Sequence, residues 1–236
     1  MKTLGLVVGR GGSKGVPNKN IRNVGGRPLI EWCLMAAKES KLLNKISLST
    51  DSKNIQDAAR RFDIDIPFTR PSDLAKDDTL VVDVIKHAVN YYKDQGEIYD
   101  YVCLLQPTSP LVTTQQIDSA IQLAHEKSAH TIITVHDAAQ THPTMMFHLN
   151  DDKSASWYLE AKDGHMSRRQ EKFPIYTRSG LLYVIDVNYL LENNSIYGPK
   201  LYALDFPPHH SICIDTEFDI ELADFLLRKN KKDLCL

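Results

Sequence analysis

Short apolar segments alternate along this chain with segments of helical period, and that alternation limits the possible folds more than any other feature. Leu4–Val8 and Tyr101–Leu105 are almost wholly apolar, and Ile46–Ser49 and Thr131–Val135 are similar short runs. Strands of this kind sit in parallel sheets that are covered on both faces. Between them lie helical patterns. Leu29, Ile30, Leu34 and Ala37 follow Pro28, which is tolerated in a helix's first turn. Ile55, Ala58, Ala59 and Phe62 follow Ser52, a residue type suited to an N-cap. Further helices are expected near Val81–Tyr92 and Thr114–Lys127, then a strand at Leu181–Ile185, another at Leu201–Phe206 and a closing helix at Glu217–Arg228. The expected fold is α/β: a three-layer, doubly wound, mostly parallel sheet. Its 236 residues suit one large domain, 1–236, with an irregular insertion at about 140–178, where Met145, Met146, Phe147, Trp157 and Tyr158 lack a clean period.

Charge narrows the function classes. The chain carries 28 cations against 30 carboxylates, a net charge of -2, which excludes a whole-surface footprint for duplex nucleic acid or anionic lipid. Its distribution is uneven, because residues 1–30 hold six of the cations (Lys2, Arg10, Lys14, Lys19, Arg22, Arg27) and no carboxylate. One local region is therefore built to meet an anion. No apolar run is long enough for a membrane span, and the first residues lack the apolar core of a secretion signal, so a cytoplasmic location is expected. Cys33, Cys103, Cys213 and Cys235 show no CxxC spacing and are expected to be free thiols, mostly core fillers.

The cationic region coincides with Gly9-Arg10-Gly11-Gly12-Ser13-Lys14-Gly15, directly after the first strand, where α/β sheets bind their ligands. It satisfies neither the Walker A pattern nor GxGxxG, in which Lys14 stands at the third glycine. What it offers is a set of backbone amides that glycine leaves uncovered, with Arg10, Lys14 and Lys19 as counter-charges, and that suits a triphosphate. A rival match exists, since Gly11-Gly12-Ser13-Lys14-Gly15 fits the GxSxG elbow of serine hydrolases and His209 and His210 lie downstream. The elbow needs a strand running straight into a helix, whereas Val16-Pro17-Asn18 prolongs the loop here.

Other blocks carry chemistry or capping. Ser49-Thr50-Asp51-Ser52 reads foremost as a helix cap. Gln106-Pro107-Thr108-Ser109-Pro110 is a proline-stiffened strand-end loop whose Gln106 can hydrogen-bond a ligand. In Cys213-Ile214-Asp215-Thr216-Glu217-Phe218-Asp219, Asp219 suits a cap and Asp215 suits a hard cation.

Taken in order, these blocks resemble the acylneuraminate cytidylyltransferases, which make CMP-activated sialic and related nonulosonic acids. The resemblance spans roughly residues 4–225 and rests on Arg10 through Asn20, Gly26 through Ile30, Ser49 through Ser52, Arg70-Pro71 with Leu74-Ala75, Leu105 through Leu111, Arg169-Gln170 and Ile214 through Thr216. It implies a nucleotide-diphospho-sugar transferase-like fold and a magnesium-dependent reaction of CTP with a nonulosonic acid that gives a CMP-sugar and pyrophosphate. It gives Arg10 and Lys19 the catalytic charges, and it places Gly11, Gly12, Ser13, Lys14, Asn20 and Arg70 around the nucleotide. It also sets Gln106, Arg169 and Tyr183 at the sugar acid and Asp215 on Mg²⁺, and it implies a homodimer whose 140–178 segment enters the neighbour's site. Several positions depart from the family's pattern: Val8 for proline, Val112 for arginine, Thr177 and Ser179 for arginine and asparagine, and Cys213 for the first aspartate of Asp-Ile-Asp. These departures keep a second expectation open, a nucleotide-binding relative that has lost catalysis.

Overall fold

The computed structural model describes residues 1–13, 15–138, 141–159 and 174–229. The chain opens with β1 (Thr3–Val8), a long loop, and a two-stranded turn, β2 (Asn23–Val24) and β3 (Arg27–Pro28), that leads into α1 (Leu29–Lys38). There follow β4 (Lys45–Ser49), α2 (Lys53–Ala59), α3 (Val81–Asp94), β5 (Tyr101–Leu105), α4 (Thr114–Lys127) and β6 (Thr131–Asp137). A hairpin of β7 (Phe147–Leu149) and β8 (Ala155–Trp157) precedes β9 (Tyr176–Asp186), α5 (Val187–Asn193), β10 (Leu201–Asp205) and α6 (Glu217–Lys229).

Six strands form the central sheet in the order β10-β6-β9-β5-β1-β4. β1 pairs in parallel with β4 and β5, and β10 pairs in parallel with β6. The expected three-layer, mostly parallel sheet is present. One face packs on α1, α2 and α4 through Ile30, Leu34, Ile55, Ile117 and Ile121. The other packs on α3 and α5 through Ile85, Ala88, Val89 and Leu190. The strands are continuously apolar because both faces are covered; all five residues of β5 are buried. Thr113 opens α4 with a capping box in which its hydroxyl accepts from Gln116 N–H.

β9 departs from the expected parallel order. It lies antiparallel between β5 and β6, and it is 11 residues long, not the five of Leu181–Ile185. Its polar first residues, Tyr176 to Arg178, are exposed, so they carry no strand signal. Opposite β6 the register jumps from Val135↔Arg178 to Ile133↔Tyr183, a bulge that contains Gly180 at φ +70°. That left-handed conformation suits glycine, and it turns the start of β9 relative to the rest of the strand.

A third, smaller core fastens the ends of the chain together. Val16 from the glycine-rich loop, Val24, Leu29 and Trp32 pack against Leu111, Ile214, Ile220, Ala223 and Leu227. Trp32 also donates its indole N–H to Val24 O at 2.8 Å. α6 therefore clamps the glycine-rich loop from the side, and Asp219 caps it by accepting from Thr216 N–H at 2.8 Å and Asp215 N–H at 3.0 Å. Desolvation alone would raise the Asp219 pKa, but these donors outweigh it and hold the carboxyl below its usual range.

Cys33 and Cys103 are fully buried core thiols, and burial pushes the Cys33 thiol up to about 12. Cys235 lies outside the described residues, as does part of the 140–178 segment. Among the described residues, no helix is long and apolar enough to cross a membrane.

Candidate functional site

A cavity of about 520 Å³ opens beyond the carboxyl ends of β1 and β5, lined by Arg10, Ser13, Lys19, Asn20, Gln106 and Asp215 among others. Parallel strands direct their following loops to one edge, so the glycine-rich loop and the Gln106–Pro110 loop meet there. A second hollow, between Ile220, Asp224, Phe225 and Lys229 on α6, contains none of these elements.

The loop is fixed at several points and open between them. Gly9 N–H donates to Ser49 O at 3.1 Å, Gly11 N–H donates to Asp51 Oδ1 at 2.9 Å, and the buried Asn20 donates from Nδ2 to Arg10 O at 2.9 Å. Val16 is fully buried in the third core. Gly15 lies so close to the Asp215 carbonyl that a Cβ would overlap it. Around Gly12 there is nothing within 4 Å of where a Cβ would stand, so this part of the loop faces open space. Anchored ends with an uncovered middle are what a polyphosphate cradle requires.

Among the described residues, three cations border the loop. Lys19 donates from Nζ to Ile214 O at 2.5 Å and pairs with Asp215 Oδ1 at 3.0 Å. Arg10 pairs with Asp77, Nη1 to Oδ1 at 2.5 Å. Arg70 is only 6% exposed, and its Nη2 lies 3.6 Å from Asp51 Oδ1. Its Nε and Nη2 have no hydrogen-bond partner. Burial lowers the Arg70 pKa below the ordinary guanidinium value and Asp51 pulls it back up, so Arg70 stays charged. A buried guanidinium with unused donors beside a glycine-rich loop is a standing attraction for an anion.

The acidic side of the cavity is Asp215, whose side chain is 74% exposed. Gly15 and Lys19 hold its segment from one side, and Ile214 N–H donates to Thr108 O at 2.8 Å on the other. Cys213 is half-buried, and its thiol donates to Thr108 Oγ1 at 3.5 Å. Desolvation raises its pKa, so it stays a neutral thiol. Among the described residues there is no group of three potential metal ligands. One exposed carboxylate beside a phosphate cradle fits Mg²⁺, which takes one or two carboxylates and completes its shell with phosphate oxygens and water, and a neutral thiol adds nothing for so hard an ion.

The structure thus gathers Arg10, Ser13, Lys19, Asn20, Gln106 and Asp215 around one cavity, while Gly11 and Gly12 belong to the same loop but do not line it, and Arg70 is joined to Gly11 through Asp51. Tyr183 is placed differently. It is 5% exposed and packs in the second core, and burial pushes its hydroxyl up to about 12. It hydrogen-bonds Tyr197, whose hydroxyl also accepts from Arg178 Nη1 at 2.6 Å. Lys14 and Arg169 lie outside the described residues.

Two acidic residues at this edge, Asp51 and Asp77, were not singled out from the sequence. Asp51 stood in a block read as a helix cap, yet Ser52 makes no side-chain cap to α2, and the block's polar work is Asp51's hold on Gly11. Asp77 precedes another aspartate in a loop, a pattern that ordinarily marks a solvated turn. The elbow match does not form a hydrolase site. The loop continues through Asn18 into a short 3-10 turn at Lys19–Ile21, and α1 starts only at Leu29. His210 Nδ1 lies 3.0 Å from Gln116 Nε2, and no histidine bonds Ser13 among the described residues.

Comparison with known proteins agrees with this geometry. A family model described as cytidylyltransferase matches residues 4–232. The CMP-N,N'-diacetyllegionaminic acid synthase of Legionella pneumophila is 29% identical over 99% of this chain and 100% of its own length. The pseudaminic acid cytidylyltransferase of Campylobacter jejuni is 28% identical over 98% of each chain. In fold, the chain is similar to CMP:2-keto-3-deoxy-manno-octonic acid synthetase complexed with CTP. The TM-score is 0.71 at 15% identity, with 98% of this chain and 100% of that one covered.

The Gly15 contact yields a direct test. Gly15→Ala should push the loop away from Asp215 and weaken CTP binding by about tenfold or more, the scale of losing one well-placed charged contact. Calorimetric titration checks it, with far-UV circular dichroism expected to stay unchanged; unaltered affinity would remove the contact from the site's design.

Proposed function

The chain belongs to the cytidylyltransferase family, and from that premise we propose that it joins CTP to a nonulosonic acid. The anomeric hydroxyl oxygen of the sugar forms a bond to the α-phosphorus, the bond from that phosphorus to the β-phosphate bridging oxygen breaks, pyrophosphate departs, and the hydroxyl proton passes to solvent. The observation that carries this reading is the anchored glycine-rich loop flanked by Arg10 and Lys19 at one cavity. The names of the relatives, a legionaminic acid synthase and a pseudaminic acid cytidylyltransferase, support the substrate class.

The chain's own work is positioning and charge neutralisation. The loop amides and Asn20's hold on Arg10 O keep the phosphate cradle shaped. Lys19, fixed by Ile214 O and Asp215, faces the leaving phosphates, and Arg70 with its unused donors supports the nucleotide. Gln106 orients the sugar from the strand-end loop. Asp215 would hold Mg²⁺, which when bound would supply Lewis-acid neutralisation of phosphate oxygens. The sugar's carboxylate needs a cation, and beside Arg169 the favoured one is Arg178, whose guanidinium has no carboxylate partner among the described residues.

A homodimer completes the reading. Every residue of the β7–β8 hairpin is exposed, with Phe147 at 52% and Trp157 at 41%. Their ring centroids lie 4.1 Å apart with the planes tilted by 33°, and a lone two-stranded hairpin is marginal in water, so the exposed ring pair supports a dimer in which a second copy covers it.

Three measurements test these parts. Pyrophosphate release from CTP is expected with at least one acid of a sialic, legionaminic and pseudaminic panel, and Lys19→Ala should lower kcat by at least ~10². CTP binding without release for any of them would instead mark a catalytically lapsed nucleotide-binding relative. For the metal, Asp215→Ala should fall sharply in activity and recover only in part at high Mg²⁺, while Cys213→Asp keeps activity; the opposite pattern removes Asp215 from the ion. For assembly, light scattering should report a dimer that the pair Met146→Ser and Phe147→Ser dissociates, and a monomeric wild type at micromolar concentration would refute it.

A further inference from the structure

Among the described residues, the two cations that line the cavity, Lys19 and Arg10, are each paired with a carboxylate of the chain itself, and the two pairs differ in kind. Lys19 is held to Asp215 and also to the Ile214 carbonyl, and its side chain is only 14% exposed, so it is built into the wall. Arg10 is held by Asp77, and both partners are partly exposed, at 34% and 44%. Asp77 belongs to the loop between a 3-10 turn at Ser72–Leu74 and the start of α3, whose first residue, Val81, lines the cavity. That loop is folded on itself by Thr79. Its hydroxyl donates to Asp73 O at 3.2 Å and accepts from Lys76 N–H at 3.1 Å, so residues 76–79 form a small unit beside the cavity.

A carboxylate on Arg10 stands where a phosphate oxygen would bind. Both are oxygen anions that accept from the same guanidinium, and a polyphosphate brought to Arg10 places its negative charge against Asp77. Both cannot hold the guanidinium at once without strong repulsion. Without either anion, Arg10 would face the neighbouring buried Arg70 uncompensated, since the two cations interact unfavourably.

We propose that Asp77 is an internal stand-in for phosphate, which holds Arg10 in the empty cavity and is displaced from it by the incoming polyphosphate. The inference rests on reading this cavity as the polyphosphate site and adds a residue that sets how tightly that site holds its ligands. Asp77 keeps Arg10 oriented between turnovers and weakens the grip on any anion there by the free energy of the pair it breaks. The leaving pyrophosphate benefits most, because Asp77 competes for Arg10 as the product departs.

The test is a thermodynamic cycle read by calorimetry with inorganic tripolyphosphate and pyrophosphate, which need no turnover. Asp77→Asn should bind both about fivefold more tightly than the wild type, the scale of breaking one partly exposed ion pair. Asp77→Ser, which removes the same charge with a smaller side chain, should tighten them likewise. In an Arg10→Gln background, where the guanidinium that Asp77 holds is gone, Asp77→Asn should give less than half of that gain. Unchanged or weaker binding in both Asp77 variants overturns the proposal. So does an equal gain in the two backgrounds, because Asp77 would then act by diffuse repulsion. A wild type that binds neither anion, with or without Mg²⁺, would instead overturn the reading of the cavity, and this proposal with it.

Discussion

Like charges repel at close range, and among the described residues the two cations that line the cavity, Arg10 and Lys19, and the neighbouring buried Arg70 have to be held apart and in place before any ligand arrives. The folded chain answers with carboxylates from distant segments: Asp215 for Lys19, Asp77 for Arg10 and Asp51 for Arg70. The remaining features of the site follow from these pairings. Lys19 meets Asp215 only because Val16 and Ile214 share a small core that α6 and Trp32 close. Arg70 is brought to Asp51 by its own N–H, which donates to Thr50 O at 2.8 Å, and Asp51 also accepts from Gly11 N–H, so the same carboxylate sets loop shape and charge balance. Only the Arg10–Asp77 pair is partly exposed on both sides and so individually weak; in the other two the cation is sunk into the protein and its carboxylate is more open. Their value lies in orientation, because cations already turned toward the cavity need little rearrangement when charge develops there.

The burial pattern separates what is rigid here from what is free to move. Val16, Ile214 and Leu111 are almost wholly buried, so the base of the loop is part of a core. A Cβ at Gly12 would meet nothing within 4 Å, and the loop that carries Asp77 is folded on itself by Thr79 while Asp77 holds Arg10. A packed base with an open middle is the division that a cradle for a large anion needs, and the packed base keeps Lys19 and Asp215 in register.

Much of this was legible in the sequence, and the reason is local. β5 and α4 begin and end where apolar runs and periodicity put them, Tyr101–Leu105 and Thr114–Lys127, because burial on both faces and a capping box leave clear signals. The glycine-rich loop and its cations were legible because composition alone is unusual there. The unread parts depend on partners far along the chain. Nothing near Tyr176–Arg178 marks a strand, since those side chains face solvent and β9 takes its order from pairing with β5 and β6. Asp51 and Asp77 look like cap and surface residues until the fold brings Gly11 and Arg10 to them. An ion pair between residues 67 positions apart leaves no trace in the period or composition of either segment.

The start of β9 joins these threads. Its bulge is closed by Ser179, whose hydroxyl donates to Thr134 Oγ1 at 2.7 Å, and by Gly180, whose carbonyl accepts from Ser109 Oγ at 3.3 Å. Ser109 follows Thr108, the residue that holds Cys213 and Ile214, so the bulge is braced on the same strand-end loop that positions Asp215. Two of the departures from the family's pattern, Ser179 and Cys213, are thus both hydrogen-bonded to threonines, and each hydroxyl or thiol is satisfied where it sits. A buried polar substitution without a partner costs on the order of 1–3 kcal/mol. These carry no such cost, so the two departures leave the framework around the strand-end loop intact.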